Sequence, residues 1–564
     1  MNLCAPSPAT LTSTAWRWFA LLTLVVWLAG CASLPSEVDR PVSTALANPE
    51  KTRLGNAVQQ RAAKAGTRND SGFALVNSAE LAFTSRMALI NAAEKTLDIQ
   101  YYAIHADETT DRMFDALRAA AARGVRIRIL LDDFNTAGKN AQVLKIAFER
   151  NIELRLFNPL PGGRGSLFFR LLGSLNDVDR MQRRMHNKIF VADNAIAITG
   201  GRNLGETYFG QGENTNFIDA DVLAAGRIAR ELSRSFDLYW NNPLAYPVQS
   251  LMTREDIEKL KAPPAPKTAA PLDNPALPGT DGAGTASAAA PAPAKPAGVR
   301  TTTAPDGTVS VIEPLPDSTN LALLDWTWAP AVLLVDKPSK IAADADDVKE
   351  AQDTTVDGLL QLMSQASSDL LIVSPYFVPG RRMMDQFTAI RQKGVRIRVL
   401  TNSLASNDAP AAHVGYARYR KELLALGIEI YEMRAEQQGS LTSFGSTGSS
   451  GSTSGSRASL HSKMVVLDRS LLVIGSMNLD LRSQLQNTEV ALAIRSAKLA
   501  NDTIALIEPA MARGAYKVEL ENGLLVWRAP QGSVLKDART EPDASAGLKL
   551  MLKLIGPFAP EEML

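Results

Sequence analysis

One short pattern occurs twice in this 564-residue chain with every internal offset preserved. His186-Asn187-Lys188 is followed after four residues by Asp193 and then by Gly200-Gly201-Arg202-Asn203. His461-Ser462-Lys463 is followed at the same offsets by Asp468 and by Gly475-Ser476-Met477-Asn478. A duplication of this kind confines the chain to folds with two similar halves. The residues after each histidine are apolar and largely β-branched (Ile189, Phe190, Val191; Val465, Val466), which predicts a buried strand. On a strand the side-chain period is two, so His186 and Lys188 share a face, as do His461 and Lys463. If the halves pack face to face, two imidazoles, two ammonium groups and two amides converge, a set suited to a tetrahedral phosphodiester anion. The glycines before each Asn would let the backbone approach that anion closely.

The repeat extends well beyond the motif. Gly124-Val-Arg-Ile-Arg-Ile-Leu130 recurs as Gly394-Val-Arg-Ile-Arg-Val-Leu400, each after a stretch with apolar residues at helical spacing (Met113, Leu117; Phe387, Ile390). Upstream, the run Leu97 to Tyr102 is matched by Leu370 to Tyr376; downstream, Ile152 to Phe157 is matched by Ile428 to Tyr431. Strands therefore alternate with helices up to the motif strand in both halves. The expected fold is α/β: two domains related by a pseudo-twofold, each a mixed or parallel sheet flanked by helices, sharing one active site. The length suits two cores rather than one. A formal charge of +1 is lower than a nuclease acting on long DNA usually carries, so no nucleic-acid partner is expected.

Arg17 precedes the apolar run Trp18 to Leu28, which ends in Leu28-Ala-Gly-Cys31. Residues 1–30 have the plan of a secretory signal, and the apolar run within them is too short for a comfortable spanning helix. A Cys directly after Leu-Ala-Gly resembles the bacterial lipoprotein signal. This implies cleavage before Cys31, lipidation of its thiol, and a chain anchored in the bacterial cell envelope and facing the periplasm. Cys4 leaves with the signal, so the mature protein has no disulfide. Residues 31–75 are expected to be a tether, 76–261 the first domain, 262–316 an Ala/Pro-rich linker, and 317–564 the second domain, with a Gly/Ser-rich loop over 439–457.

The duplicated motif resembles the phospholipase D superfamily, and the surrounding segments resemble the bacterial cardiolipin synthases, closest to their C-type branch. Those segments include Leu97-Asp-Ile-Gln-Tyr-Tyr-Ala103, Leu131-Asp-Asp-Phe-Asn-Thr136, Arg183-Arg-Met-His-Asn-Lys188, Gly200-Gly-Arg-Asn-Leu-Gly-Glu-Thr-Tyr-Phe209 and Asn478-Leu-Asp-Leu-Arg-Ser483. The resemblance implies a two-step displacement in which one His attacks phosphorus and the other serves as general acid and base. It assigns His186 as nucleophile and His461 as acid/base, with the reverse as the alternative. Lys188, Lys463, Asn203 and Asn478 would hold the nonbridging oxygens, and Asp193 and Asp468 complete the motif. A histidine in this role needs its far nitrogen held by an acceptor. Glu489 is expected to serve the second half and Asp219, preferred over Asp221, the first.

Each Asp of the motif lies five residues past its Lys, where an Asp commonly closes a turn, so a structural role competes with a catalytic one. His105 and His413 are weaker site candidates, read more simply as packing residues. No cofactor is implied, and no cluster has metal-ligand spacing. The expected partners are a membrane and phospholipid substrates, phosphatidylglycerol and plausibly phosphatidylethanolamine, with the need for an accessory protein left open. Leu167-Phe-Phe-Arg-Leu-Leu172 and the tail Leu548 to Ile555 are apolar segments with basic neighbours, suited either to membrane docking or to packing. The leading expectation is a phosphatidyltransferase making cardiolipin. The alternative is a phospholipase D-type phosphodiesterase using water; an inactive scaffold would have no need for both motifs.

Overall fold

The computed structural model describes residues 34–67, 69–162, 164, 170, 174, 177–213, 215–261, 300–303, 309–312, 315–342, 354–436 and 457–555. The signal segment, Cys31, most of the 262–316 stretch, nearly all of the 439–457 loop and most of 167–172 lie outside the described residues.

Two nine-stranded sheets carry the repeat. From edge to edge the first runs Thr327–Ala329, Ser71–Val76, Asp221–Ala225, Ile196–Gly200, Ile189–Ala192, Thr96–Tyr101, Arg126–Asp132, Ile152–Phe157 and Ala245–Pro247. The second runs Ala331–Val335, Val490–Arg495, Leu471–Gly475, Met464–Leu467, Asp369–Val373, Arg396–Asn402, Glu429–Met433, Ala515–Glu521 and Leu524–Arg528. In each sheet the three strands before the motif are parallel to one another, and the motif strand joins them antiparallel. The sheets are therefore mixed. Helices such as Glu108–Ala122 and Gly380–Gln392 cross between the parallel strands, as such connections require.

Period-two burial explains how the halves join. Ile189 and Val191 enter the same apolar cluster as Met464 and Val466, so one core spans both sheets. Phe190 packs into the outer core of the first half, and Val465 and Leu467 into that of the second. Both faces of each motif strand are thus buried, which is why the strands read as unbroken apolar runs.

Three expectations need correction. Residues 31–75 do not form a simple tether: Arg53–Lys64 is a helix and Ser71–Val76 pairs with Asp221–Ala225 inside the first sheet. The preceding segment is also tied down, by the Arg128 guanidinium donating to the Ser43 carbonyl (2.8 Å) and Asn194 to that of Leu46 (2.8 Å). The second domain does not begin at 317, since Thr327–Ala329 is an edge strand of the first sheet and the crossing between sheets falls at Pro330. The halves also differ in the second crossover between parallel strands: Gly138–Phe148 winds as 3-10 turns where the second half has the α-helix Pro410–Ala425.

Candidate active site

Each motif histidine sits where a strand of its own half meets the other half. Met185 bridges Thr488 in parallel, with the His186 N–H donating to the Thr488 carbonyl (2.9 Å) and Thr488 N–H to that of Arg184 (3.0 Å). In the second half Arg457–Leu460 pairs in parallel with Thr215–Ile218, and the His461 N–H donates to the Ile218 carbonyl (2.8 Å). The residue after each partner strand is a carboxylate, and it reaches the imidazole beside it. Glu489 lies 2.9 Å and 3.0 Å from His186 Nδ1 by its two oxygens, and Asp219 Oδ2 lies 2.7 Å from His461 Nδ1. The acceptors are therefore exchanged between the halves, which corrects the expectation that each serves its own. Sequence order could not reveal this, because the exchange depends on interdomain strand pairing.

With each Nδ1 facing a carboxylate, each ring directs Nε2 away from it with its lone pair free. Burial pushes His186 down to about 4, with Glu489 opposing and Lys188 adding to the shift. Burial also lowers His461, reinforced by Lys463 and opposed by Asp219. Burial thus favours the neutral form of both rings at neutral pH. Lys188 is brought down to about 7 by burial, opposed by Glu489 and reinforced by Lys463; Lys463 is lowered by burial against Asp219 and Glu489. That Lys188 responds to Glu489, Asp219 and Lys463 shows both motifs converging on one place. Among the described residues neither lysine is in a salt bridge: Glu489 and Asp219 are paired with the imidazoles instead, which leaves both ammonium groups available to an arriving anion. Each Lys meanwhile donates back to the carbonyl of its own histidine, Lys188 at 2.8 Å and Lys463 at 2.5 Å.

The family model described as "Cardiolipin synthase, PLD-like domain" matches residues 87–240 and 359–509, one repeat each. Cardiolipin synthase C of Escherichia coli (strain K12) is 35% identical over 86% of this chain and 94% of its own. This chain belongs to the cardiolipin synthase family of phospholipase D-like proteins. A cardiolipin synthase 2 of Staphylococcus epidermidis is 22% identical over 71% of this chain and 60% of its own. Among solved structures, phosphatidylserine synthase of Haemophilus influenzae Rd KW20 aligns over 80% of this chain and 88% of that one at 13% identity and a TM-score of 0.47. By the family model and the 35% identical relative, the protein is an enzyme of the phospholipase D superfamily, with the phosphatidyltransferase activity of its family.

Within this cardiolipin synthase fold, Asn203 and Asn478 hold unequal positions. The Asn203 carbonyl accepts from Ala103 N–H (3.2 Å) and its amide donates to the Tyr208 hydroxyl (3.0 Å). Asn478 is buried with its Oδ1 unpartnered among the described residues. The glycines do not serve to admit a phosphate. A Cβ on Gly201 would lie 2.3 Å from Asp219 Oδ1, and one on Gly200 2.3 Å from Asp221 Oδ1, so their space is taken by carboxylates. Ser476 replaces Gly201 in the second half and donates its hydroxyl to Glu489, joined by that of Ser483 (2.8 Å). Neither serine is given a role by the sequence reading: Ser476 stands inside the duplicated motif and Ser483 in a segment that carried the resemblance, but nothing in the sequence aims either at Glu489.

Asp193 and Asp468, grouped with the catalytic residues by their place in the motif, stand at the far ends of the motif strands. Asp193 accepts from the backbone N–H groups of Glu94, Lys95 and Thr96 (2.8–2.9 Å). Asp468 does the same for Ser367, Ser368 and Asp369 (2.8–3.1 Å). Both adopt positive φ, 50° and 47°, in the turn that follows each strand. They fasten the start of the neighbouring parallel strand and touch no imidazole. His413 is buried in a helix against Arg420 (2.9 Å), a packing role, while His105 stacks on Tyr208 with ring centroids 6.2 Å apart. The rings of Tyr102 at His186 (5.1 Å) and of Tyr208 and Phe217 at His461 (5.3 and 5.0 Å) wall the two imidazoles. Among the described residues no group of three or more His, Cys, Asp or Glu side chains is arranged to hold a metal ion.

Proposed function

We propose that this enzyme makes cardiolipin by moving a phosphatidyl group onto phosphatidylglycerol through a covalent phosphohistidine. The observation that carries the reading is the pair of carboxylate-held imidazoles beside two lysines. His186 Nε2 attacks phosphorus and the P–O bond to the leaving alcohol breaks, with His461 supplying the alcohol's proton. His461 then takes the proton of the glycerol hydroxyl of phosphatidylglycerol as that oxygen displaces His186. The assignment rests on an asymmetry. Glu489 shares its charge with two serine hydroxyls and so draws a proton onto His186 less strongly, which suits that ring to attack, whereas no serine hydroxyl donates to Asp219 among the described residues. An arriving phosphodiester anion favours protonation of His461 and both lysines, restoring the acid before the first step. The donor in this reading is phosphatidylethanolamine or a second phosphatidylglycerol.

Lipid mass spectrometry on a cardiolipin-deficient bacterium expressing the chain, with and without His186→Ala, tests the reading. Cardiolipin with the intact enzyme alone supports it, and loss of either lipid identifies the donor. Phosphatidic acid without cardiolipin would replace transfer by hydrolysis.

The site must also meet a membrane. Among the described residues no helix is long and apolar enough to cross one. In our reading a lipidated Cys31 anchors the chain to the periplasmic face of the envelope, and the helix Ala546–Ile555 docks beside it. That helix exposes Leu550 and Leu554, one turn apart, with Lys553 also at the surface. Unlipidated protein that binds liposomes equally well without this helix would exclude the docking role.

A further inference from the structure

The strands Arg126–Asp132 and Arg396–Asn402 are equivalent members of the two repeats, and each ends on a fully buried polar side chain. Asp132 Oδ2 accepts from the backbone N–H of Met185 (2.8 Å), and Oδ1 accepts from Phe134 N–H (2.9 Å) and faces Arg184 Nη1 (3.4 Å). Asn402 Oδ1 accepts from the backbone N–H of Leu460 (2.9 Å), and Nδ2 donates to the Leu460 carbonyl (2.8 Å). Met185 and Leu460 are the residues immediately before His186 and His461. Two side chains of different charge thus make the same bond to the same backbone position on either side of the pseudo-twofold. A purely electrostatic role would not be shared by a carboxylate and an amide; holding a backbone N–H requires only an oxygen.

We propose that Asp132 and Asn402 are a matched pair of positioning residues, each fixing the backbone that enters one motif histidine and so aiming that imidazole at phosphorus. Each histidine is then held at three points: a side chain from the middle parallel strand in front, the partner strand's carbonyl on its own N–H, and the exchanged carboxylate at Nδ1. The second and third supports come from the opposite half, and only the first comes from the same half. This is the support that keeps a ring from drifting with its interdomain partner, where a displacement of about 1 Å costs on the order of 100-fold in rate.

The chain has four histidines, so carbethoxylation by diethyl pyrocarbonate, read by peptide mass spectrometry, reports each ring separately and independently of the reaction catalysed. Asp132→Ala should change the labelling rate of His186 by about threefold or more and leave His461 and His105 alone; Asn402→Ala should do the reverse. Asp132→Asn keeps the oxygen for Met185 and should label within about twofold of wild type, which a general loosening of the fold would not allow. Asp98→Ala, which breaks the buried pair with Arg128 elsewhere in the sheet, controls for lost stability. Equal changes at both histidines in each variant, or none at either, would overturn the proposal.

A kinetic arm rests on the proposed function. With a phosphatidyl donor carrying a p-nitrophenyl leaving group, which needs no acid, the first-turnover burst of Asn402→Ala should recover while that of Asp132→Ala stays slow. Recovery of both would overturn the assignment of one clamp to each histidine. A wild-type enzyme inert towards phospholipids would instead sink the functional reading and leave the labelling result standing.

Discussion

Glu489→Gln isolates what the exchanged carboxylate does for His186. As Nε2 forms its bond to phosphorus the ring gains positive charge, and in the wild-type enzyme that charge lies beside a carboxylate whose oxygens are 2.9 and 3.0 Å from Nδ1. With charge centres about 4 Å apart and an effective dielectric constant of about 20, the interaction amounts to about 4 kcal/mol. At 1.36 kcal/mol per decade this corresponds to a fall in kcat of about 1,000-fold on substitution. The amide keeps an oxygen for Nδ1–H, so ring orientation survives and KM should change little. One serine, Ser476 or Ser483, would then face an amide N–H₂ instead of an acceptor, lowering stability by about 1–3 kcal/mol. The assay is steady-state transfer in mixed micelles together with a thermal unfolding curve. The activated p-nitrophenyl donor should not rescue the variant, because His461 is untouched. A loss below about tenfold, or rescue by that donor, would refute the pairing of Glu489 with the nucleophile.

Other consequences follow from the same geometry. Gly201→Ala places a Cβ against both oxygens of the Asp219 carboxylate, so Oδ2 must move away from His461 Nδ1; transfer from natural donors should fall by more than about 100-fold, measured beside an unchanged circular dichroism spectrum. Asp468 is held at about 2, below its ordinary 3.8, by the N–H groups it accepts against the opposing effect of burial. A depressed carboxyl contributes stability above its unfolded pKa and loses it as pH falls through the folded one. Asp468→Asn should therefore lower Tm at pH 6, with the gap to wild type closing as pH falls towards 2, and should leave kcat of the folded enzyme near wild type. With Lys188 brought down to about 7 by burial, kcat/KM for an anionic lipid should decline above about pH 7, whereas kcat, read from the substrate-bound enzyme, should hold to higher pH.

The repeat, the mixed α/β halves and the four basic motif side chains are legible in the sequence because each is a local pattern: period-two burial for the strands, and fixed offsets for His186, Lys188, His461 and Lys463. Asp219 and Glu489 were legible as carboxylates near the site but not as partners of the opposite histidine, since the Met185 to Thr488 bridge and the Leu460 to Ile218 pairing join residues 303 and 242 positions apart along the bonded sides. Asp193 and Asp468 travel with the motif because a left-handed turn and three backbone N–H groups need them, a requirement that looks the same in sequence as a catalytic one. The segment before residue 71 reads as a tether because its helix is polar, and its docking depends on Arg128 and Asp237, which lie far along the chain. Asp132 lies in a segment that carried the resemblance, yet the sequence does not pair it with Asn402, because a repeat is sought through identical residues and these two share an oxygen but not a name.

The most direct test of one site built from both halves is to trap the intermediate. Enzyme carrying His461→Ala is mixed with the p-nitrophenyl donor, quenched at alkaline pH to preserve the P–N bond, and mapped by peptide mass spectrometry. A phosphatidyl group on His186, lost when Glu489→Gln is added, is the expected result. A label on another residue, or one indifferent to Glu489, would contradict a nucleophile from the first half held by a carboxylate from the second.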